Sequence, residues 1–276
     1  MTVLADIIAA TRRQIGQRRS QIDSHQLETQ AAAHVPRGFR KALETMSNTG
    51  IAVIAELKKA SPSRGLIRSN FDPAGLASEL EVAGAAALSI LTDEDFFQGS
   101  LANLRAASGS STLPCLRKDF IIDEFQILEA RANCADAVLL IAAELSQDEL
   151  VLLSRRAREF ELDVLCEIHD EEELGRALDA GCDLIGVNSR DLRTFRVDLN
   201  AAFRLADSLP HNAVAVAESG IDNGAHIARL RSAGYDAFLI GETLMKAANP
   251  GNTLKSLLSE ANRLATAKSQ QPTAAL

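Results

Sequence analysis

The sequence has little that would mark a metal-bound, membrane-bound or nucleic-acid-binding protein. Its four cysteines, Cys115, Cys134, Cys166 and Cys182, lie far apart, with no CxxC pair and no histidine cluster at zinc-ligand spacing, so no metal site is expected. Cys115 and Cys166 fall in apolar runs, as small reduced core residues of a cytoplasmic protein do. No apolar run approaches the ~18 residues of a membrane span, and the N-terminus has no compact apolar region with a cleavage site. A membrane partner is therefore not expected. Basic residues are outnumbered: 29 Lys and Arg stand against 37 Asp and Glu, for a formal net charge of -8. Without a broad basic field the chain is not expected to hold nucleic acid, and any bound anion must be held by local groups. No GxGxxG follows an early strand, which argues against a dinucleotide-binding open sheet.

What is present is 276 residues, 46% hydrophobic and 24% charged, ordinary globular proportions and enough for one large α/β domain. Near the start, Leu4, Ile7, Ile8 and Ile15 recur at broadly helical spacing, with Arg12, Arg13, Arg18 and Arg19 toward the far end. This predicts an amphipathic helix that packs on, or partly caps, the main domain. Connecting helix should follow, with a break around Pro36 and Gly38.

From Ile51 onward, apolar runs alternate with amphipathic segments. The runs begin at Ile51, Ala86, Leu113, Ala137, Asp163, Asp183, Ala213 and Asp236, and near-continuous apolar runs of this kind suit parallel strands covered on both faces. Helix starts are signalled by Asp72-Pro73, Asp123, Ser146 and Asp222-Asn223; helix ends are signalled by Ala-Gly at Gly84, Gly181 and Gly234. Eight βα units predict a parallel sheet that closes into a (β/α)8 TIM barrel with an extra N-terminal helical segment, a doubly wound open sheet being the rival. The expected division is 1–50 as a helical extension packed on the barrel, 51–265 as the catalytic barrel and 266–276 as a flexible tail.

A barrel gathers whatever follows its strands into one cavity. Here that set is rich in ionisable groups: Glu56 and Lys58 after the first strand, Lys118 and Asp119 after the third, Glu167 and His169 after the fifth, Asn188 and Arg190 after the sixth, Glu218 after the seventh. Side chains on a strand alternate, so Glu56 and Lys58 share one face while Leu57 and Lys59 take the other. Glu56 and Glu167 follow directly on apolar runs and need cations, for which Lys58 and Lys118 are available. Such a cluster around a cavity suits proton-transfer chemistry. Asp119 is read as a helper positioning Lys118 or Arg190, and His169 as a rim or helix-cap residue. Ser219-Gly220 and Gly241-Glu242, after the seventh and eighth strands, fit a phosphate site built from backbone N–H groups.

The motifs IAELKKASPSRG, LTDEDFFQGS, LRKDFIID, LCEIHD, GVNSRDL, AESGI and LIGETLM occur in an order and spacing that resembles the indole-3-glycerol phosphate synthase family, from about residue 2 to about residue 262. The resemblance implies ring closure of 1-(2-carboxyphenylamino)-1-deoxyribulose 5-phosphate with loss of CO2 and water, a small phosphorylated substrate, and no cofactor. It implies catalytic roles for Glu56, Lys58, Lys118, Glu167, Asn188 and Glu218, with Lys118 as the candidate acid at the ketone oxygen; which lysine serves which step is left open by the sequence. Ser61 and Arg190 become candidates for the anthranilate carboxylate, and Phe97 and Phe120 for the walls around the ring. Ser219, Gly220, Gly241 and Glu242 would hold the phosphate, Glu242 through its backbone with its side chain turned away. The loop from Lys59 to Asn70 should close over the substrate. Association with other tryptophan-pathway enzymes is left open. Two rivals remain: the isomerase of the preceding pathway step, which needs no paired lysines, and a non-catalytic phosphate-binding barrel.

Overall fold

A computed structural model describes residues 3–191, 194 and 196–269 of the chain. Three helices come first, α1 (Val3–Gln21), α2 (Ser24–Ala33) and α3 (Phe39–Thr49). Eight strands follow: β1 (Ala52–Leu57), β2 (Ala87–Leu91), β3 (Cys115–Lys118), β4 (Ala137–Ile141), β5 (Asp163–Ile168), β6 (Leu184–Asn188), β7 (Val214–Glu218) and β8 (Ala237–Ile240). All pair in parallel with their sequence neighbours, and β8 returns to β1 from Ala52↔Ala237 to Ala55↔Ile240, closing the barrel.

The connecting helices are α4 (Pro73–Val82), α5 (Leu101–Gly109), α6 (Glu124–Ala132), α7 (Gln147–Glu159), α8 (Glu171–Asp179), α9 (Asn200–Leu205) and α10 (Gly224–Ser232), with α11 (Glu242–Lys246) and α12 (Pro250–Ser269) after the last strand. Their starts follow from local chemistry. Asp72, Ser100, Asp123, Ser146, Asp170 and Asn223 each accept a first-turn backbone N–H, and Ser146 and Glu149 form a reciprocal capping box. The Ala-Gly ends at Gly84, Gly181 and Gly234 adopt the expected left-handed backbone. After α6 and α7 the same turn is made by Cys134 and Glu161, which carry a Cβ and so gave no such signal.

Alternation along each strand divides the core in two. Val53, Ala55 and Leu57 pack outward in the large cluster beneath the helices. Ala52 and Ile54 join Leu116, Leu139, Leu165, Val216 and Leu239 in the barrel lumen. The N-terminal helices reach both ends of that lumen. Phe39 and Leu43 of α3, both fully buried, belong to the lumen cluster, and so do Leu4 and Ile7 of α1. Between them, α2 lies along α6 through Leu27, Ala31 and Ala132. The expected break around Pro36 and Gly38 is the link between α2 and α3. At the other end, α12 continues through 266–269, where a tail was expected; residues 270–276 lie outside the described residues.

Two buried ion networks fix these helices to the barrel. In one, Arg18 of α1 bonds Glu129 of α6 at 2.8 Å, and Glu129 also meets Arg117 at 3.4 Å. Arg117 is 1% exposed and holds Asp119 at 2.9 Å. In the other, fully buried Asp136 accepts the backbone N–H of Arg37 at 2.7 Å, the Arg37 guanidinium at 2.5 Å and the Cys115 N–H at 2.6 Å, with His34 at 3.2 Å. Burial alone would raise the Asp136 pKa, but the His34 and Arg37 contacts outweigh it and hold it low. Removing one partner of such a set leaves the others buried and unpaired. Asp136→Ala is therefore expected to lose about 3–5 kcal/mol of stability, measured as the shift of the urea midpoint followed by far-ultraviolet circular dichroism.

Candidate active site

Every site residue expected from the sequence lines one cavity of about 650 Å3 at the C-terminal ends of the strands. Odd-numbered strands supply its ionisable floor. On the inward face, Ile54 is followed by Glu56, Leu116 by Lys118, Leu165 by Glu167 and Val216 by Glu218, so each strand ends in one charge directly above an apolar layer. On β6 the same period brings Gly186 and then Asn188. Glycine at 186 has a steric cause: a Cβ there would collide with the Glu218 carboxylate. A Cβ at Gly241 would likewise run into Glu56, so this glycine makes room for a carboxylate, a role its sequence context did not suggest.

The buried charges are paired. Lys58 Nζ lies 2.5 Å from Glu56 Oε2, which satisfies the shared face expected for this pair. Lys118 Nζ donates to Glu167 Oε2 at 2.9 Å and lies 3.4 Å from Glu218 Oε2. Burial works against the Lys118 ammonium, but Glu167, Glu218 and Glu56 together raise its pKa above the ordinary lysine value. Burial would also raise Glu167; Lys118, His169 and the Asn188 side chain overcome it and hold Glu167 low. Glu218 goes the other way. Burial dominates the pull of Lys118, Glu167 and Glu56 add repulsion, and Glu218 is pushed up to about 7. Its second oxygen, Oε1, is buried with no hydrogen-bond partner. Two acids sharing one ammonium thus differ in protonation near neutral pH, an arrangement suited to proton transfer.

Around this floor, Phe97 and Phe120 face each other with ring centroids 6.3 Å apart and planes at 42°. Ser219 and Gly220 both hold left-handed backbone at the end of β7, with φ of 63° and 79°. For serine this is a strained state costing about 1 kcal/mol. A Cβ at Gly220 would meet Val197 at 2.7 Å. Gly241 precedes α11, and the Asn188 side chain accepts the Arg190 backbone N–H at 3.0 Å. Ser61 lies in a short antiparallel hairpin, Ala60–Ser61 with Gly65–Leu66, inside the segment read from sequence as a closing loop.

Three expectations are corrected. Asp119 contacts neither Lys118 nor Arg190 among the bonds formed; it takes Arg117, the Thr92 hydroxyl at 2.6 Å and the Phe120 N–H at 2.9 Å, so it shapes the end of β3. His169 does not cap the next helix. Asp170 caps α8, and the imidazole sits beside Glu167 with Nε2 3.7 Å from Oε1. The Glu242 side chain turns toward the cations of the mouth, with Arg64 Nε at 3.0 Å, Arg190 Nη2 at 3.5 Å and Lys246 Nζ at 2.5 Å. Burial would raise its pKa, but Lys246, Arg64 and Arg190 keep it low.

Other cavity residues escaped sequence reasoning. Leu4 and Ile7 of α1 line it, although the helical pattern said only that α1 has an apolar face. Asp93 lines it too, 4% exposed, and its Oδ1 accepts the N–H groups of Phe96 at 2.7 Å and Phe97 at 3.1 Å. Burial outweighs those bonds and, with Asp119 and Asp95 nearby, pushes Asp93 up to about 6. The acidic DEDFF run hid which acid turned inward. Among the described residues, no group of three or more His, Cys, Asp and Glu side chains could hold a metal ion, and no helix is long and apolar enough to cross a membrane.

The chain is similar to known proteins over nearly its whole length. A sequence model of the indole-3-glycerol phosphate synthase family matches residues 4–257. An indole-3-glycerol phosphate synthase of Koribacter versatilis is 56% identical over 257 residues, covering 93% of this chain and 99% of that protein. One from Acidithiobacillus ferrooxidans is 45% identical, covering 92% and 98%. Among solved structures, a 3-hexulose-6-phosphate synthase from Salmonella typhimurium superposes with a TM-score of 0.61 at 13% identity, covering 77% of this chain and 99% of that one. A thiamine phosphate pyrophosphorylase from Pyrococcus furiosus reaches 0.59 at 16%, covering 79% and 98%. At such identities these two describe the barrel alone.

Gly186→Ala should drive Glu218 from its place, with turnover falling about 100-fold and stability by about 1–3 kcal/mol, checked by steady-state rates and urea unfolding. Asp93 tests the electrostatics. Between the ordinary aspartate value and about 6 the folded chain binds more protons than the unfolded one, so Asp93 costs stability as pH rises through that window. Asp93→Asn keeps the acceptor for Phe96 and Phe97; its melting temperature should gain on the parent's from pH 5 to pH 8, and a constant difference would contradict the burial assigned to Asp93.

Proposed function

The chain belongs to the indole-3-glycerol phosphate synthase family, and from that premise we propose which of its residues carry the reaction. The enzyme is a carboxy-lyase of tryptophan biosynthesis: it closes the indole ring of 1-(2-carboxyphenylamino)-1-deoxyribulose 5-phosphate and releases CO2 and water. In our reading it works in the cytoplasm and needs no cofactor.

The ring carbon that bears the carboxylate must attack the ketone carbon, and negative charge then develops on the ketone oxygen. Lys118 is the acid at that oxygen. Its ammonium is held by carboxylates and keeps its proton in the free enzyme, but a forming alkoxide is a stronger base than an amine and takes it. Attack leaves the ring cationic. Glu167, held ionised, stabilises that charge until loss of CO2 restores aromaticity. The last step removes the hydroxyl as water and a proton from the ring system. The Glu56–Lys58 pair, an acid and a base 2.5 Å apart, does this work.

Asn188 and Glu218 orient the substrate hydroxyls and the lysines. Phe97 and Phe120 flank the ring. Arg190 and Ser61 take the anthranilate carboxylate, a substitution of one carboxylate for another at Arg190, since Glu242 meets its guanidinium at 3.5 Å. The phosphate lies against Ser219, Gly220, Gly241 and the Glu242 backbone, and the Lys59–Asn70 segment closes over the mouth.

The observation that supports this reading most directly is the Lys118 ammonium between Glu167 and Glu218 in the cavity that Phe97 and Phe120 also line. The chain has no Trp and one Tyr, so indole fluorescence from product stands out against the protein. Adding the carboxyphenylamino deoxyribulose phosphate should produce it. Lys118→Ala should lower turnover about 10²–10⁴-fold with an unchanged far-ultraviolet spectrum, and full turnover in that variant would remove Lys118 from the role.

A further inference from the structure

His169 follows directly on β5 and is placed more firmly than a residue at a strand end requires. Its backbone N–H donates to Glu173 Oε2 at 2.7 Å, and its Nδ1 lies 3.1 Å from the same oxygen. Glu173, in the first turn of α8, therefore fixes both the chain and the ring. This clamp turns Nε2 toward Glu167 Oε1, 3.7 Å away, where it is buried and has no hydrogen-bond partner. Glu167 Oε2 faces Lys118 at 2.9 Å. One carboxylate thus has an ammonium on one oxygen and an imidazole near the other.

The charge balance of the floor gives this placement a purpose. Lys118 serves both Glu167 and Glu218, so once its proton passes to the substrate both acids lose their counter-charge. Glu218 can take up a proton, since its Oε1 is unpartnered and burial already favours the neutral form. Glu167 must not, because a neutral carboxyl cannot stabilise the cationic ring. We propose that His169, clamped by Glu173, is a positioning residue that supplies Glu167 with a second counter-charge, keeping it negative while Lys118 gives up its proton. This rests on the reading of Lys118 as the acid. The ionisable groups that act on the imidazole are Glu167 on β5, Glu173 on α8, Glu144 in the turn after β4 and Glu218 on β7, with the Lys118 ammonium of β3 on the other oxygen of Glu167. Acids outnumber the single ammonium. Burial alone would favour the neutral ring, but the Glu173 bond and the charge of Glu167 outweigh it and raise His169 above the ordinary histidine value.

His169→Gln keeps a donor of similar reach without the charge. It should lower kcat about tenfold with KM within about twofold, and move the acid limb of the kcat profile up by about one pH unit, the direction expected when a carboxylate loses a nearby cation. Glu173→Gln should shift the limb the same way by less. An unmoved limb with unchanged kcat would overturn the inference. Lys118→Ala separates the two readings: if it is nearly inactive while His169→Gln behaves as the parent, only the His169 role fails; if it turns over normally, the Lys118 role fails first. A direct readout is the titration of the imidazole itself. In ¹⁵N-histidine-labelled parent enzyme, which has five histidines, one imidazole should titrate above about 6.5 and be the one missing from the His169→Gln spectrum. If all five titrate at or below that value, His169 is neutral at working pH and the proposal is wrong.

Discussion

Three carboxylates end inward-facing strand positions in a barrel whose lumen is apolar, and the structure depends on how they are neutralised. Glu56, Glu167 and Glu218 are each 5% exposed or less. An isolated buried carboxylate costs several kcal/mol, so each needs a cation, a proton or a full set of donors. Lys58 meets the first need, Lys118 the second and, partly, the third. The shortfall falls on Glu218, and that shortfall gives the floor a group that titrates near neutral pH. The feature that makes the site costly to fold is the same one that makes it chemically useful.

Space has to be made for these charges. At Gly186 and Gly241 a single methyl group would strike a carboxylate, so the two glycines are packing residues of the site rather than hinges. Support comes from outside the barrel as well. Through Glu129, Arg18 of α1 reaches Arg117, whose neighbour in sequence is Lys118; because Arg117 and Lys118 alternate, the first anchors β3 outward while the second enters the cavity. Asp136 does the same service at the opposite end, tying the link between α2 and α3 to the start of β3. Helices that precede the barrel in sequence thereby brace both its ends.

Much of this was legible in the chain. Near-continuous apolar runs and the β/α alternation identify the strands, and Asp, Ser and Asn before several of the helical runs identify the caps. Strand parity then puts Glu56 with Lys58 and sets Leu57 apart, as observed. What stayed hidden depended on orientation beyond the strand. Asp119 sits one residue past Lys118 and two past Arg117, so it shares the Arg117 face and turns to that guanidinium instead of to Lys118. His169 is likewise one residue beyond β5, and its direction is set by Glu173 from the next helix. Glu242 was read by its backbone alone, yet its side chain gathers Arg64, Arg190 and Lys246 from separate parts of the mouth.

The sequence by itself determined the barrel, the strand that carries each ionisable group and the face on which most of them lie, because those follow from local periodicity and residue chemistry. Only the tertiary structure decided which acid shares which ammonium, since that depends on the register between strands. The same closure explains why Glu167 is held ionised while Glu218 is pushed toward the neutral form, two glutamates with the same local signature and different surroundings. It also brought Leu4 and Ile7 to the cavity, a contact between the first helix and the ends of later strands that no spacing along the chain encodes.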